Sequence, residues 1–84
     1  MRHQASSKFR AAYAALPLPI KKLADASFEL LKSDLRHPSL QFKKVGRYWS
    51  VRVGLHHRAL ATEVEGDMLW FWIGSHAEYD RMIG

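Results

Sequence analysis

Residues 48–64 read YWSVRVGLHHRALATEV, and this stretch decides the fold. Apolar and polar side chains alternate over residues 48–53, which is the period of a β-strand with one buried face. Gly54 interrupts the alternation, and a second run of strand-forming residues extends from about 57 to 64. The stretch therefore predicts a β-hairpin whose core side carries Trp49, Val51 and Val53.

Further strands are predicted on both sides of this hairpin. Residues 40–43 alternate in the same way before a turn at Gly46-Arg47. The turn at 65–67 leads into residues 68–73, which are apolar on both faces and therefore favour a central strand. This order predicts a four-stranded antiparallel meander, and a weaker signal at Arg2–Ala5 could add an edge strand.

Before residue 38 the apolar period is 3.6, which predicts helices. Residues 6–16 fit one helix with Ser6 or Ser7 as its N-cap, and Pro17 cannot continue it. A second helix is predicted from Pro19 to about Leu35, where the constraint before Pro38 ends it. The short link between these helices predicts an αα-hairpin.

Residues 1–84 are therefore expected to form a single α+β domain. An N-terminal αα-hairpin packs on one face of a small antiparallel sheet of about four strands. Ser75 and Glu78 have the spacing of a capping box, which predicts a short C-terminal helix. Because the hairpin covers one face only, the face with Tyr48, Ser50 and Arg52 is predicted to be open to a ligand.

The composition is that of a small globular protein and excludes several classes. Of 84 residues, 48% are hydrophobic and 25% are charged. The absence of cysteine excludes a disulfide scaffold, a thiolate zinc site and a cysteine nucleophile. The longest apolar run is far shorter than the roughly 20 residues that span a bilayer, and no secretory signal is recognised. We therefore expect a cytoplasmic protein without a membrane partner.

The positive charge is concentrated in the middle of the chain. Lys and Arg number 13 against 8 Asp and Glu, a net charge of +5. Residues 35–62 contain no acid, and a polyanionic partner such as nucleic acid or an acidic protein would explain this. A solvated basic surface without a partner is the alternative. The six bases of this segment are Arg36, Lys43, Lys44, Arg47, Arg52 and Arg58.

Arg52 and Arg58 are candidate phosphate ligands. They are expected to lie near each other across the predicted hairpin, where two guanidinium groups repel unless an anion lies between them. The planar guanidinium fork also suits a phosphate, because it donates two hydrogen bonds at once. Alternatively, each arginine pairs with an acid, for example Glu63 or Glu78.

His76 follows the predicted central strand and is a candidate for proton transfer near neutral pH. Tyr79 lies three residues later and would share its helical face. His56 and His57 occupy the hairpin turn, so at most one of them is expected to face the arginines. The five histidines lack the spacing of metal ligands, and no metal site is predicted. His76 as a capping or surface residue, and Tyr79 as a packing residue, remain alternatives.

Three tryptophans are many for a chain of this length. Trp49, Trp70 and Trp72 alternate with their neighbours as core residues do, although one of them could instead stack on a base or a protein partner. Trp70 and Trp72 are predicted to face the helices, with Phe71 on the other side, and the reverse orientation stays open.

An ordered set of segments resembles the RelE/ParE superfamily of type II toxin–antitoxin toxins. The resemblance covers nearly the whole chain from Phe9 to Ile83. No single motif in it is strict. The segments are LPLPI at 16–20, LLKSD at 30–34, RHPSL at 36–40, WSVRVG at 49–54, HRAL at 57–60 and WFWIGSH at 70–76.

The resemblance implies a ribosome-dependent, metal-independent mRNA endonuclease without a cofactor. RelE-like members cut mRNA in the 30S A site, where the 2′-hydroxyl attacks the adjacent phosphate and leaves a 2′,3′-cyclic phosphate. By resemblance, Arg52 and Arg58 hold this phosphate, His76 transfers a proton and Tyr79 orients or stacks on a base. An acidic or amphipathic antitoxin would neutralise the toxin. RNA contacts are expected from Lys43, Lys44, Arg47, His56 and His57.

The same resemblance leaves a non-enzymatic alternative. ParE-like members lack the nuclease and poison DNA gyrase, and an inactive relative would only bind its antitoxin. The paired lysines on the second core strand of the best-known RelE-like toxins are replaced here by Tyr48 and Ser50. This departure favours the alternative, whereas Arg58 with His76 and Tyr79 favours the enzyme.

Overall fold

The computed structural model describes residues 2–83, so Met1 and Gly84 of the predicted domain lie outside the described residues. This part of the chain forms an α+β fold with three α-helices and one sheet. In chain order the elements are β1 (His3–Ala5), α1 (Ser7–Ala14), α2 (Leu18–Ser33), a 3₁₀ turn (Pro38–Leu40), β2 (Lys43–Val45), β3 (Tyr48–Val53), β4 (His57–Val64), β5 (Asp67–Ser75) and α3 (His76–Ile83).

The predicted αα-hairpin is confirmed: both helices end two residues earlier than expected, and the second begins one residue earlier, at Leu18. The Ser6 hydroxyl accepts a hydrogen bond from the backbone N–H of Phe9 at 3.1 Å, as an N-cap does. Pro19 lies in the first turn of α2, where its missing N–H costs nothing. Phe9, Ala24 and Leu31 are the buried residues of the pair.

The sheet has five strands in the order β1-β5-β4-β3-β2, rather than the predicted four. Strands β2 to β5 form the expected antiparallel meander. The weak signal at the N terminus is a real strand, and β1 pairs parallel to β5 through His3 and Met68. The sheet is therefore mixed, because the helical hairpin carries the chain from β1 to the opposite edge before the meander returns.

One face of the sheet packs on α1 and α2, and we call it the helix face. Its core residues include Val51, Val53, Ala59, Ala61, Met68, Trp70 and Ile73. The ring of Phe28 packs edge-on against Trp70 with centroids 5.3 Å apart, and against Phe9 at 5.5 Å. These contacts join both helices to β5, an interior strand of the sheet.

The opposite side carries Arg52 and Arg58, and we call it the arginine face. Residues that pair directly across antiparallel strands share a face, so Tyr48 with Thr62 and Ser50 with Leu60 also belong to it. The prediction that this face is open holds only in part. Ser50 and Leu60 are at most 1% exposed, because the Arg58 side chain and α3 cover that end of the sheet.

A β-bulge in β5 corrects the prediction for the tryptophans. Leu60 pairs with Trp72 while the next residue, Ala61, pairs with Trp70, so Phe71 is an extra residue without a partner. The bulge reverses the alternation, as an inserted strand residue does. Trp70 therefore lies on the helix face as predicted, whereas Trp72 lies on the arginine face.

The first strand of the meander begins later than predicted. Residues 38–40 form a 3₁₀ turn, and Gln41 adopts a left-handed conformation with φ of +45° before β2 begins at Lys43.

The predicted capping box is confirmed at the start of α3. The backbone N–H of Glu78 donates to the Ser75 hydroxyl at 3.2 Å, and the Glu78 carboxylate accepts from the Ser75 N–H at 3.3 Å.

Candidate functional site

The hairpin of β3 and β4 places Arg52 directly opposite Arg58, as expected. The two residues share the arginine face near the 54–56 turn. Neither forms an ion pair with Glu63 or Glu78. Among residues 2–83 the ion pairs are Lys32–Glu29 and His76–Asp80, so both guanidinium groups lack a carboxylate partner.

The Arg58 side chain is buried, with 3% of its surface exposed. Its Nε donates to the Ser50 hydroxyl at 2.9 Å, and its Nη2 donates to the Gln41 carbonyl at 3.3 Å. Burial lowers the pKa of the Arg58 guanidinium, and the charge of Arg52 lowers it further, while Tyr79 and Asp80 oppose the shift. Arg58 therefore joins β4 to β3 and to the segment before β2.

Tyr79 of α3 covers this guanidinium. The Arg58 guanidinium carbon lies 5.0 Å from the centroid of the Tyr79 ring, within the range of a cation–π contact. The Tyr79 side chain is 4% exposed, and its hydroxyl is buried without a hydrogen-bond partner. A hydroxyl that is buried without a partner costs about 1–3 kcal/mol, although Tyr79 lies close enough to Arg58 to raise the pKa of that guanidinium.

Arg52 has different surroundings, although it lies opposite Arg58. Beyond Ser50 no residue of β2 pairs with β3, so Arg52 lies at an open edge of the sheet. Its Nε donates to the Gly54 carbonyl at 2.9 Å. The side chain also lines a pocket of about 290 Å³ together with Ser27 of α2, Ser39 and Leu55. Arg52 is half-buried and reaches solvent, whereas Arg58 does not.

The histidines of the turn and of α3 meet at the same end of the sheet. The backbone N–H of His76 donates to the His56 carbonyl at 2.7 Å, and His57 pairs with Ser75. The His76 side chain is exposed, and its Nδ1 lies 3.1 Å from Asp80 Oδ2. Its ring also packs edge-on against Tyr79 at 5.7 Å. An imidazole held by a carboxylate and open to solvent suits proton transfer.

The predicted RNA-binding lysines lie on opposite sides of β2. Lys43 pairs with Ser50 and shares the arginine face, whereas Lys44 pairs with Trp49 on the other side. The ammonium group of Lys44 lies 5.9 Å from the Trp49 ring centroid. Arg47 in the adjoining turn lies over the ring of Tyr48 at 5.5 Å. Lys43 and Arg47 thus flank the arginine face.

Two features of this site were not predicted. Gln41 binds Arg58 from outside the hairpin, and no local pattern signals a contact 17 residues away. Ser50 could have been found, because a small polar residue inside an apolar strand suggests a buried polar partner on the next strand.

Within residues 2–83, no group of three or more His, Asp or Glu could hold a metal ion.

No helix in residues 2–83 has the length and apolar character needed to cross a membrane. No protein-family model matches the sequence, and no curated protein matches it significantly.

Two solved structures are similar to this chain. A chain of the RelB–RelE antitoxin–toxin complex from Methanococcus jannaschii aligns with a TM-score of 0.72 and 14% identity, over 96% of this chain and 99% of that one. A copper-bound mutant toxin from Helicobacter pylori aligns with a TM-score of 0.64 and 11% identity, over 93% of this chain and 97% of that one. At these identities the similarity concerns the fold.

Proposed function

We propose that this chain, which has the fold of RelE-like toxins, is the toxin of a type II toxin–antitoxin pair that cleaves mRNA on the ribosome. The observation that carries the proposal is the meeting of three strand ends at one site. Arg52 and Arg58 lie opposite each other there, and His76 is bound to the adjoining turn. This combination supplies cations and a proton-transfer group beside a solvent-accessible surface.

In the proposed reaction the RNA supplies its own nucleophile. The 2′-hydroxyl attacks the adjacent phosphorus, the bond to the 5′-oxygen breaks, and a 2′,3′-cyclic phosphate and a 5′-hydroxyl form. A base takes the proton from the 2′-hydroxyl and an acid returns one to the 5′-oxygen, so no metal or cofactor is required. His76 is the residue we propose for one of these transfers.

The two arginines have different proposed parts in this scheme. Arg52 reaches solvent and would contact the scissile phosphate directly, since only its Nε is used by the Gly54 carbonyl. Arg58 would add positive potential from beneath Tyr79, where low polarity strengthens its field.

Other basic side chains have a proposed role in guiding the RNA to this end of the sheet. They are Lys43, Arg47, His56 and His57, and Lys44 would bind the RNA from the far side.

The proposed partners are the 30S A site with its mRNA, in the cytoplasm, and a cognate antitoxin. The antitoxin is supported by the similarity to a chain of an antitoxin–toxin complex. The acid-free, basic segment 35–62 also favours an acidic or amphipathic partner.

One observation favours a non-enzymatic toxin that acts on DNA gyrase, or an inactive relative that only binds its antitoxin. Arg58 donates its hydrogen bonds within the protein and is nearly inaccessible. A structural role for this residue would leave Arg52 as the one accessible arginine of the pair.

Primer extension on a reporter mRNA after induction tests the proposal. We expect new 5′ ends within codons, and a loss on the order of 100-fold in their formation with Arg52→Ala. Lys22→Ala, an exposed cation on α2, is the matched control. Growth arrest without new 5′ ends, together with loss of gyrase supercoiling in vitro, would contradict the nuclease and favour the alternative.

A further inference from the structure

We propose that Tyr48, Phe71 and Trp72, the aromatic patch, bind the bases of single-stranded RNA by stacking. The proposal deepens the proposed function, because it names how the substrate is held on the same face as Arg52. It assigns an RNA-binding role to Tyr48 and Phe71, for which the sequence pattern predicts strand packing, and chooses base stacking for Trp72, which the sequence left open.

The β-bulge creates the patch. Without an extra residue, β5 would present one aromatic ring of the Trp-Phe-Trp run to the arginine face. With Phe71 inserted between the pairs Leu60–Trp72 and Ala61–Trp70, the arginine face receives two consecutive rings. A β-bulge that re-aims side chains is a common feature beside functional sites.

Because Gly74 has no side chain, the Trp72 ring can pack against the sheet at this position. A Cβ atom at Gly74 would lie 2.5 Å from Cζ2 of Trp72, a distance at which the two atoms clash. The ring therefore occupies the space above Gly74, the residue that pairs with Arg58. This places Trp72 between the rest of the patch and the candidate phosphate site.

The remaining rings form a shallow surface rather than a closed core. The centroids of Tyr48 and Phe71 are 5.2 Å apart with an interplanar angle of 59°. Both rings, with Thr62 and Arg47, line a pocket of about 380 Å³. All three aromatic residues are half-buried, and the described residues that line this pocket include none from a helix.

The charge around the patch fits a polyanion. The cations of the arginine face are Lys43, Arg52 and Arg58 on the strands and Arg47 in the turn beside Tyr48. Among the strand residues of this face within residues 2–83, the one acid is Asp67, at the start of β5. Positive charge next to partly exposed rings is the combination that binds single-stranded nucleic acid, whose phosphates and base faces are both accessible.

Single-stranded RNA fits this surface better than a duplex. Aromatic rings on a sheet stack on bases that are splayed out, and a duplex hides those faces. Tyr48 and Arg52 are four residue steps apart on β3, a span of about 13 Å along the strand. A strand of RNA that stacks on the patch would therefore run along β3 towards Arg52.

Binding of two oligonucleotides to the full-length protein tests the proposal without a ribosome. One probe is 2′-O-methyl octaadenylate, which cannot undergo the proposed 2′-hydroxyl attack, and the other is an abasic oligomer with the same number of phosphates. We expect the octaadenylate to bind at least about 100-fold more tightly, and Tyr48→Leu to reduce this preference about tenfold while binding of the abasic oligomer is unchanged.

Tyr13→Leu is the matched control, because Tyr13 is a half-buried tyrosine of α1, outside the arginine face, with a lysine near its ring. Phe71→Leu provides a second test that keeps the apolar volume should Tyr48→Leu fail to fold. Equal binding of the two probes by the unaltered protein would overturn the proposal, as would equal losses with Tyr48→Leu and Tyr13→Leu. An unaltered protein that binds neither probe but loses a protein partner with Tyr48→Leu would also overturn it.

The proposal and the nuclease fail separately. Loss of base-dependent binding with intact mRNA cleavage contradicts the stacking role alone. Base-dependent binding that needs Tyr48, without any cleavage on the ribosome, contradicts the nuclease and leaves the aromatic patch as an RNA-binding surface.

Discussion

Trp70 and Trp72 lie two residues apart in β5, yet they face opposite sides of the sheet and have different surroundings. Trp70 is 2% exposed and packs edge-on against Phe28 on the helix face. Trp72 is half-buried on the arginine face and lies over Gly74. The helix face is a packed apolar core, whereas the arginine face combines a buried cation, a basic edge and partly exposed rings. The helix face therefore stabilises the fold, and the arginine face is the one on which we propose the function.

Replacing each tryptophan in turn tests the difference between the two faces, and we expect the largest effect on stability from this test. We expect Trp70→Ala to lower the free energy of unfolding by about 3–5 kcal/mol, because it leaves a cavity beside Phe28 and Met68. Trp72→Ala should cost less, since part of its ring already contacts solvent. Urea denaturation followed by far-ultraviolet circular dichroism measures both changes. Equal losses would mean that Trp72 also belongs to the core.

Deletion of Phe71 tests the bulge, which separates the two tryptophans. The pairs on both sides, Leu60–Trp72 and Ala61–Trp70, are consecutive on β4, so the deletion restores a regular ladder without moving either tryptophan to the other face. We expect a folded protein that loses about 1 kcal/mol, the contribution of one half-buried phenylalanine. Chemical-shift mapping of β4 and β5 and urea denaturation provide the measurement.

Deletion of Ile73 is the matched control for the bulge. Ile73 pairs regularly with Ala59, so its removal turns the following residues of β5 to the wrong face. A Phe71 deletion as damaging as the Ile73 deletion would contradict the assigned pairing.

The same pair of tryptophans explains how far the sequence could predict the structure. Local periodicity predicted the helical hairpin, the meander and the capping box, because each depends on neighbours within a few residues. The bulge could not be predicted, because Trp70, Phe71 and Trp72 are all apolar and fit either alternation. The parallel pairing of β1 is likewise decided by contacts between residues more than 60 positions apart.

The candidate site was predicted less completely than the fold. The hairpin spacing was sufficient to place Arg52 opposite Arg58. The burial of Arg58 depends on Gln41 and Tyr79, which approach from outside the hairpin and leave no signal in its sequence. The catalytic roles of these residues remain predictions.

Removal of the Tyr79 hydroxyl tests whether this buried group of the arginine face lowers the stability of the fold. Tyr79→Phe keeps the ring over Arg58 and deletes a buried group that has no hydrogen-bond partner. We expect a gain of about 1 kcal/mol in the free energy of unfolding, measured by urea denaturation. A loss of stability would mean that the hydroxyl is hydrogen-bonded in solution. Weaker mRNA cleavage by this more stable variant would assign the hydroxyl a part in the reaction.

The smallest expected effect concerns the pH dependence of the helix face. His3 Nδ1 accepts a hydrogen bond from Trp70 Nε1 at 3.0 Å, which requires that nitrogen to be unprotonated. Burial, and to a lesser extent the charge of Lys32, lowers the pKa of His3 from its usual 6.5. The unfolded chain therefore takes up this proton more readily than the folded one. The contribution of His3 is complete above pH 6.5 and is lost as the pH falls through the lower pKa of the folded state.

We expect the free energy of unfolding to fall between pH 7.5 and 5.5 by more in the unaltered protein than in His3→Asn. The side-chain oxygen of asparagine can accept the hydrogen bond from Trp70, and it does not titrate. The other four histidines remain in both proteins, so their contribution is the same. Urea denaturation at the two pH values measures the difference. Identical pH dependence would mean that protonation of His3 does not change the free energy of unfolding. The contact between His3 of β1 and Trp70 would then be too exposed to favour the unprotonated imidazole.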